Sequence, residues 1–271
     1  MRTPRIALLA GALVSLLLTG TAHAGTARAD SGAAGAPVPT GAKALTHNPL
    51  YRTGKLTVPC GRHPDDFASV GAAKKHLTAM MDCMNASWSA QLKKAGLPFE
   101  KPKVRFITGP TRVCGEPWGE YVVGLYCTKQ RQMVVMIDDY SIQQPADPDI
   151  LHTLAHEYAH HVQNVTGILP AFWRTRVRTE AQALTYVRRM ELQAECLAGA
   201  FMASIWASQE YTAEEREALV NAARHNGDEQ FEKGKRIHGT GKNQSAWLQR
   251  GFDSASPAAC NTWTAPASRV A

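Results

Sequence analysis

The chain has 271 residues, with 30 Lys and Arg against 23 Asp and Glu for a formal net charge of +7. That length supports one sizeable core without requiring two domains. The balance is basic, but no zinc finger or aromatic RNA-binding signature accompanies it, so nucleic acid is not an expected partner.

Arg2 and Arg5 precede an apolar run from Ile6 to Leu18, and Ala22-His23-Ala24 before Gly25 has the small-x-small form of a cleavage site. Residues 1–24 therefore read as a cleavable Sec-type signal peptide, and the protein is expected to be secreted. The run is too short to span a bilayer, which takes about 20 residues, so stable membrane insertion is not expected. Residues 25–52, dominated at first by Ala, Gly, Thr, Ser and Pro, are expected to be a flexible low-complexity segment. The main domain is placed at 53–263, with a C-terminal tail over 264–271.

From Pro64 to Ala95 the spacing predicts a long helix, whose apolar face carries Phe67, Val70, Leu77, Met80, Met81, Met84, Trp88 and Leu92. Strands are expected at Lys103 to Thr108, Tyr121 to Cys127 and Gln132 to Ile137, forming a small sheet. The last of these, Met133-Val134-Val135-Met136-Ile137, is the most hydrophobic. It suits either a plain core strand or a strand at a cleft that pairs with extended substrate.

The next segment, Asp149 to Asn164, contains His156-Glu157-Tyr158-Ala159-His160 and neither Gly nor Pro. Pro148 precedes it and Gly167 follows, so it has helix punctuation at both ends. On a helix the two histidines are about 400° of rotation and about 6 Å of rise apart, so both rings leave one face and can reach one small cation. Glu157 is offset by about 100°, which suits a general base more than a ligand. Leu151, Leu154, Ala155, Ala159 and Val162 form an apolar stripe that would bury this helix.

Two histidines leave a tetrahedral zinc one protein ligand short, and hydrolytic sites often complete the set with a downstream Glu. Glu191 is the candidate. It lies in a second expected helix, from about Arg176 to Ser208, with Glu195 one turn further on. Glu195 would accept a hydrogen bond from a ligand imidazole and fix its tautomer. His152 and His161 flank the pair without ligand spacing, and Tyr158 is expected to pack. Thr212 to His225 and Asn243 to Gly251 are helical in pattern, and the glycine-flanked His238 between them is a candidate transition-state stabiliser.

The chain resembles the bacterial family called "putative neutral zinc metallopeptidase". The resemblance rests on His156-Glu157-Tyr158-Ala159-His160-His161-Val162-Gln163, on Glu191-Leu192-Gln193-Ala194-Glu195-Cys196-Leu197-Ala198-Gly199, on His238-Gly239-Thr240 and on Cys260-Asn261-Thr262. It is strongest from about Cys114 to Thr262, and the second segment is more specific than the first. It implies a zincin-like α+β fold, predominantly helical, in which a small sheet precedes the His-Glu-x-x-His helix and a second long helix bears the third ligand. It also implies one catalytic Zn2+ held by His156, His160 and Glu191. The chain departs from the family in carrying Glu195 where Asp is usual, which lengthens the carboxylate's reach, and Asn261 where Asp is common.

The six cysteines suit an oxidising compartment and three disulfides. Fifteen pairings are open to them. Cys60–Cys83, Cys114–Cys127 and Cys196–Cys260 are favoured, the last tying two of the family's recurring segments together. No Cys-x-x-Cys spacing supports a cysteine zinc site.

The expected activity is that of a zinc metalloendopeptidase-like hydrolase acting on a peptide or protein substrate through a zinc-activated water, with Glu157 as general base and then acid. The alternatives are a non-catalytic zinc-stabilised binding module and a zinc hydrolase acting on non-peptide amides. Arg174, Arg176, Arg178, Arg188 and Arg189 concentrate positive charge locally, which suits association with an anionic cell envelope.

Overall fold

The structure, a computed structural model, describes residues 37–61, 69–119, 122–230 and 236–271. The signal peptide expected over 1–24, the first part of the 25–52 segment, Phe67 and Tyr121 lie outside the described residues.

A short helix α1 (Gly41–Thr46) and a 3-10 turn at Pro49–Arg52 lead into α2 (Val70–Lys94), which Ser69 caps by accepting the Ala72 N–H. The methionines and Trp88 of α2 are buried, as expected for a helix whose apolar face recurs every three or four residues. Then come β1 (Lys103–Ile107), a ribbon of β2 (Arg112–Val113) and β3 (Glu116–Pro117), and the strands β4 (Gly124–Cys127) and β5 (Gln132–Met136). The sheet order is β1-β5-β4, with β1 parallel and β4 antiparallel to β5.

After α3 (Asp139–Gln143) comes α4 (Pro148–Val165), the motif helix. Asp147 caps the helix by accepting the Asp149 N–H, and Pro148, the expected start signal, occupies the first turn. Gly167, at φ +83, ends it and turns the chain into α5 (Ile168–Arg174). A Cβ there would meet the Pro39 carbonyl oxygen at 2.4 Å. The second ligand-bearing helix is α6 (Glu180–Ile205), followed by α7 (Ala213–His225) and α8 (Gly241–Ser254).

Helix α6 is buried almost continuously from Met190 to Met202, because α4 covers one side and α8 the other. Gly199 and Gly251 allow α6 and α8 to touch through their backbones. A Cβ on Gly199 would lie 2.4 Å from the Leu248 carbonyl oxygen, and one on Gly251 would lie 2.1 Å from that of Cys196. Cys196 joins Cys260, Cys60 joins Cys83 and Cys114 joins Cys127, with Cα separations of 5.4, 5.6 and 5.5 Å, all normal for a disulfide. The fold is thus α+β and predominantly helical, with a small sheet before the motif helix.

Two expectations need correction. The segment 25–52 is not flexible at its described end: Ala44, Leu45 and Leu50 are core residues, and Asn48 Nδ2 donates to the Ala44 and Thr166 carbonyls. Three apolar side chains and one buried amide suffice to order a stretch whose composition reads as low complexity. Residues 264–271 are not a loose tail either. Val270 is fully buried, its carbonyl accepts from Arg188 Nε, and the Ala271 carbonyl accepts the Thr240 N–H. Of the two readings open for β5, the plain core strand holds: β5 is the centre of the sheet with both edges already paired, and the edge strands are β1 and β4.

Candidate metal centre

Helices α4 and α6 lie side by side and present their polar residues to each other at one place. His156 Nε2 is 3.3 Å and His160 Nε2 3.2 Å from the same oxygen, Glu191 Oε2. The three donors all lie within 4.8 Å of one another. A tetrahedral ion with bonds of about 2.1 Å needs donors roughly 3.4 Å apart, so this spacing fits zinc with little adjustment. Two imidazoles and one carboxylate are also the donor types zinc prefers in sites that keep a fourth position open.

Each imidazole is held from behind. His156 Nδ1 is 3.1 Å from Glu195 Oε2, and His160 Nδ1 is 2.9 Å from Gln163 Oε1. An acceptor at Nδ1 favours the tautomer that leaves Nε2 free for a cation. Gln163 is itself anchored, donating through Nε2 to the Met190 carbonyl at 2.8 Å and to Gln193 Oε1 at 3.1 Å. Glu195 also meets His152, whose Nε2 is 3.1 Å from Oε1, so one buried carboxylate spans two turns of α4.

The electrostatics follow from this crowding. Burial opposes a charge on His156, but hydrogen bonds to Glu191 and Glu195 outweigh it and hold the imidazole well above its ordinary pKa. His160 is raised as well: burial again opposes the charge, and Glu191 overcomes it. Burial would lift the Glu191 carboxyl, but the His160 charge and the hydrogen bonds from both rings hold it well below the usual carboxylate range. Glu195 is depressed likewise, by His152 and then His156 acting against burial. The cluster thus favours ionised carboxylates and charged imidazoles, so a metal would compete with protons for the ring nitrogens.

Glu157 lies beside the cluster on α4, and its carboxylate makes no hydrogen bond among the described residues. Room for it comes from Gly124 on β4, where an added Cβ would sit 3.2 Å from Glu157 Cγ and 3.2 Å from Thr153 Cγ2. His238 approaches from the loop before α8, with Nε2 4.0 Å from Glu191 Oε2 and Nδ1 3.5 Å from Asp228 Oδ1. Asp228 Oδ2 also accepts the His238 and Gly239 backbone N–H groups, both at 2.7 Å. His161 faces away from the cluster. Its Nδ1 meets the Tyr126 hydroxyl and its Nε2 the Glu100 carbonyl, and burial lowers its pKa. Tyr158 is fully buried and donates to Asn85 Oδ1.

The structure therefore brings His156, His160, Glu191, Glu195, Glu157 and His238 to one place. Sequence reasoning missed Gln163 and Asp228. Gln163 stands three residues after His160 on the same helix face, a signal that was available. Asp228 stands ten residues before His238 across a loop, with no periodicity to connect them. The guanidinium groups of Arg188 and Arg189, two of the expected basic concentration, donate to the carbonyls of Arg236 and Val270 and of Thr262 and Ala265.

Comparison with known proteins agrees with this geometry. The family model described as "Putative neutral zinc metallopeptidase" matches residues 67–263. Proteins called "Uncharacterized protein YpfJ" from Escherichia coli K12 and from Escherichia coli O6:H1 strain CFT073 are each 31% identical over 207 residues, which covers 70% of this chain and 71% of theirs. No solved structure matches. The matched span carries both helices of the candidate centre and the His238 loop, and on the family model and the identity together the chain belongs to this family.

Proposed function

We propose that the protein is a secreted zinc-dependent endopeptidase in which His156, His160 and Glu191 hold one zinc ion. The observation that carries this reading is the convergence of both Nε2 atoms on Glu191 Oε2 at 3.3 and 3.2 Å, on helices whose other polar groups hold the rings from behind. When bound, zinc supplies Lewis acidity, acidifying a water and polarising a carbonyl. Glu157, next in sequence to a candidate ligand and without a hydrogen bond among the described residues, would act as general base and take the proton of the attacking water. It then returns the proton to the leaving amine as the C–N bond breaks. His238, steadied by Asp228, donates a hydrogen bond to the oxygen that gains negative charge.

Substrate would lie along β4. Met136 N–H donates to the Val123 carbonyl, so alternation in the antiparallel ladder turns the N–H and C=O of Gly124 and Tyr126 to the free edge. An extended peptide pairing there would pass near Glu157, whose Cγ lies where a side chain at Gly124 would point. The pairing of all six cysteines supports an oxidising destination outside the cytoplasm.

The test is a peptide-library digest with metal analysis of the wild type and Glu157→Gln. The variant should keep its zinc and lose most hydrolysis. Cleavage by the variant at the wild-type rate would overturn the mechanism, and a zinc-loaded wild type that cleaves nothing would identify the metal as purely structural.

A further inference from the structure

The end of α5 and the turn that leads to α6, Trp173-Arg174-Thr175-Arg176-Val177-Arg178, are used neither by the metal centre nor by the core. Trp173 is 65% exposed, the highest value among the exposed large apolar side chains of the described residues, and Val177 is 42% exposed. Arg174, Arg176 and Arg178 are all exposed, and none of their guanidinium groups has a hydrogen-bond or ion-pair partner among the described residues. The contrast with Arg188 and Arg189 is direct, because those two close backbone carbonyls of the C-terminal segment.

The turn is nevertheless well built. Thr175 N–H donates to the Phe172 carbonyl and Thr175 Oγ1 to that of Ala171. Arg178 N–H donates to Gln182 Oε1, and Thr179 caps α6. Trp173 rests edge-on against Phe172, with ring centroids 4.8 Å apart. Glu180, the nearest carboxylate in sequence, lies in the first turn of α6, where it complements the helix dipole. A fixed turn thus displays one indole, one valine and three unneutralised arginines to solvent, at a cost in exposed apolar surface that folding does not explain.

We propose that this turn docks the protein on an anionic lipid bilayer, with Trp173 and Val177 entering the headgroup region and the three arginines facing lipid phosphates. Indole has the amphipathic character that places tryptophan at membrane–water interfaces, and arginine meets phosphate in bidentate fashion. The contact is peripheral, since no helix among the described residues is long and apolar enough to cross a membrane. Glu191 lies eleven residues into α6, about 16 Å along the helix axis from the turn. A docked protein would therefore hold its metal centre close to the bilayer, within reach of chain segments that emerge from it. The inference does not depend on hydrolysis, so it stands or falls separately from the peptidase reading.

The experiment compares the full chain with Arg174→Gln/Arg176→Gln/Arg178→Gln and with Trp173→Phe, on vesicles of phosphatidylcholine alone and mixed with phosphatidylglycerol. Each arginine near an anionic surface contributes about fivefold to partitioning, so the triple variant should bind mixed vesicles on the order of a hundredfold more weakly. These arginines, without side-chain partners among the described residues, can be changed without unfolding, and unchanged circular dichroism verifies this. Brominated lipid should quench the wild type more than Trp173→Phe, which reads insertion of this side chain whatever else touches the vesicle. Equal partitioning of wild type and triple variant overturns the proposal, as does equal quenching of wild type and Trp173→Phe. Arginine-dependent capture of soluble polyphosphate without Trp173 quenching would also overturn it, identifying the turn as a site for a soluble polyanion.

Discussion

Gln163 Oε1 lies 2.9 Å from His160 Nδ1 while Gln163 Nε2 donates to the Met190 carbonyl at 2.8 Å, so one amide links a candidate ligand on α4 to the backbone of α6 one residue before Glu191. The amide can do this because its two ends have opposite polarity, the carbonyl facing the ring N–H and the NH2 facing the helix. Gln163→Ala should lower zinc affinity by about 10- to 100-fold, the usual effect of removing a group that orients a ligand imidazole. Chelator competition measures it, and unchanged affinity would mean that packing alone holds His160.

Gly124 and Glu157 form a second pair in which one residue makes the other possible. An alanine at 124 would place its Cβ 3.2 Å from both Glu157 Cγ and Thr153 Cγ2, closer than comfortable van der Waals contact. Glu157 is the softer neighbour and should turn aside. Because a displacement of about 1 Å can cost 100-fold in rate, Gly124→Ala should reduce kcat by about 10- to 100-fold while zinc content stays at wild-type level. Normal turnover in that variant would show that Glu157 has slack in its position.

How much of this was legible in the chain depends on the range of the interaction. His156 and His160 were readable because an i, i+4 pair on a punctuated helix carries its own geometry. Glu191 and Glu195 were readable as residues of a recurring segment, although only the packing of α4 on α6 places Glu195 against His152 as well as His156. The order of the strands was not readable. The most hydrophobic strand, β5, is central because β1 pairs with it in parallel from the far side, and nothing local announces that pairing. The N-terminal helix was hidden for a different reason: Ala44, Leu45 and Leu50 are few, and they become core only because α5 and the C-terminal segment offer a surface for them.

The contact between α6 and α8 predicts a stability effect with competing terms. Replacing a helical glycine by alanine gains about 1 kcal/mol of helix propensity. At position 251 the new Cβ would lie 2.1 Å from the Cys196 carbonyl oxygen, a backbone atom of a helix that Cys196–Cys260 also ties down. Overpacking of this kind costs about 1 to 3 kcal/mol when the core can yield, and here both sides are main chain, so the penalty should exceed the gain. Gly251→Ala should lower the urea midpoint, and a stability equal to wild type would mean that α8 slides freely on α6.

Zinc uptake should depend steeply on pH, and the direction follows from the cluster's own charges. His156 and His160 have raised pKa values because Glu191 and Glu195 favour their charged forms against burial. Glu191 and Glu195 are depressed, so they stay ionised and do not titrate in the same range. Zinc must displace protons from the two rings. Below the raised imidazole values the rings are protonated and the ion competes poorly; as pH rises through them, each proton no longer displaced strengthens binding. Affinity should climb by up to about tenfold per pH unit for each ring still protonated, and because both imidazoles are raised the climb should continue past the ordinary histidine pKa of about 6.5 before it levels off. Calorimetry in buffers of different ionisation enthalpy counts the protons released. Release of up to two protons per zinc near neutrality, falling towards none as the pH is raised, fits the geometry. Proton release that has already vanished by about one pH unit above the ordinary histidine value would mean that Glu191 and Glu195 do not hold charge on these histidines.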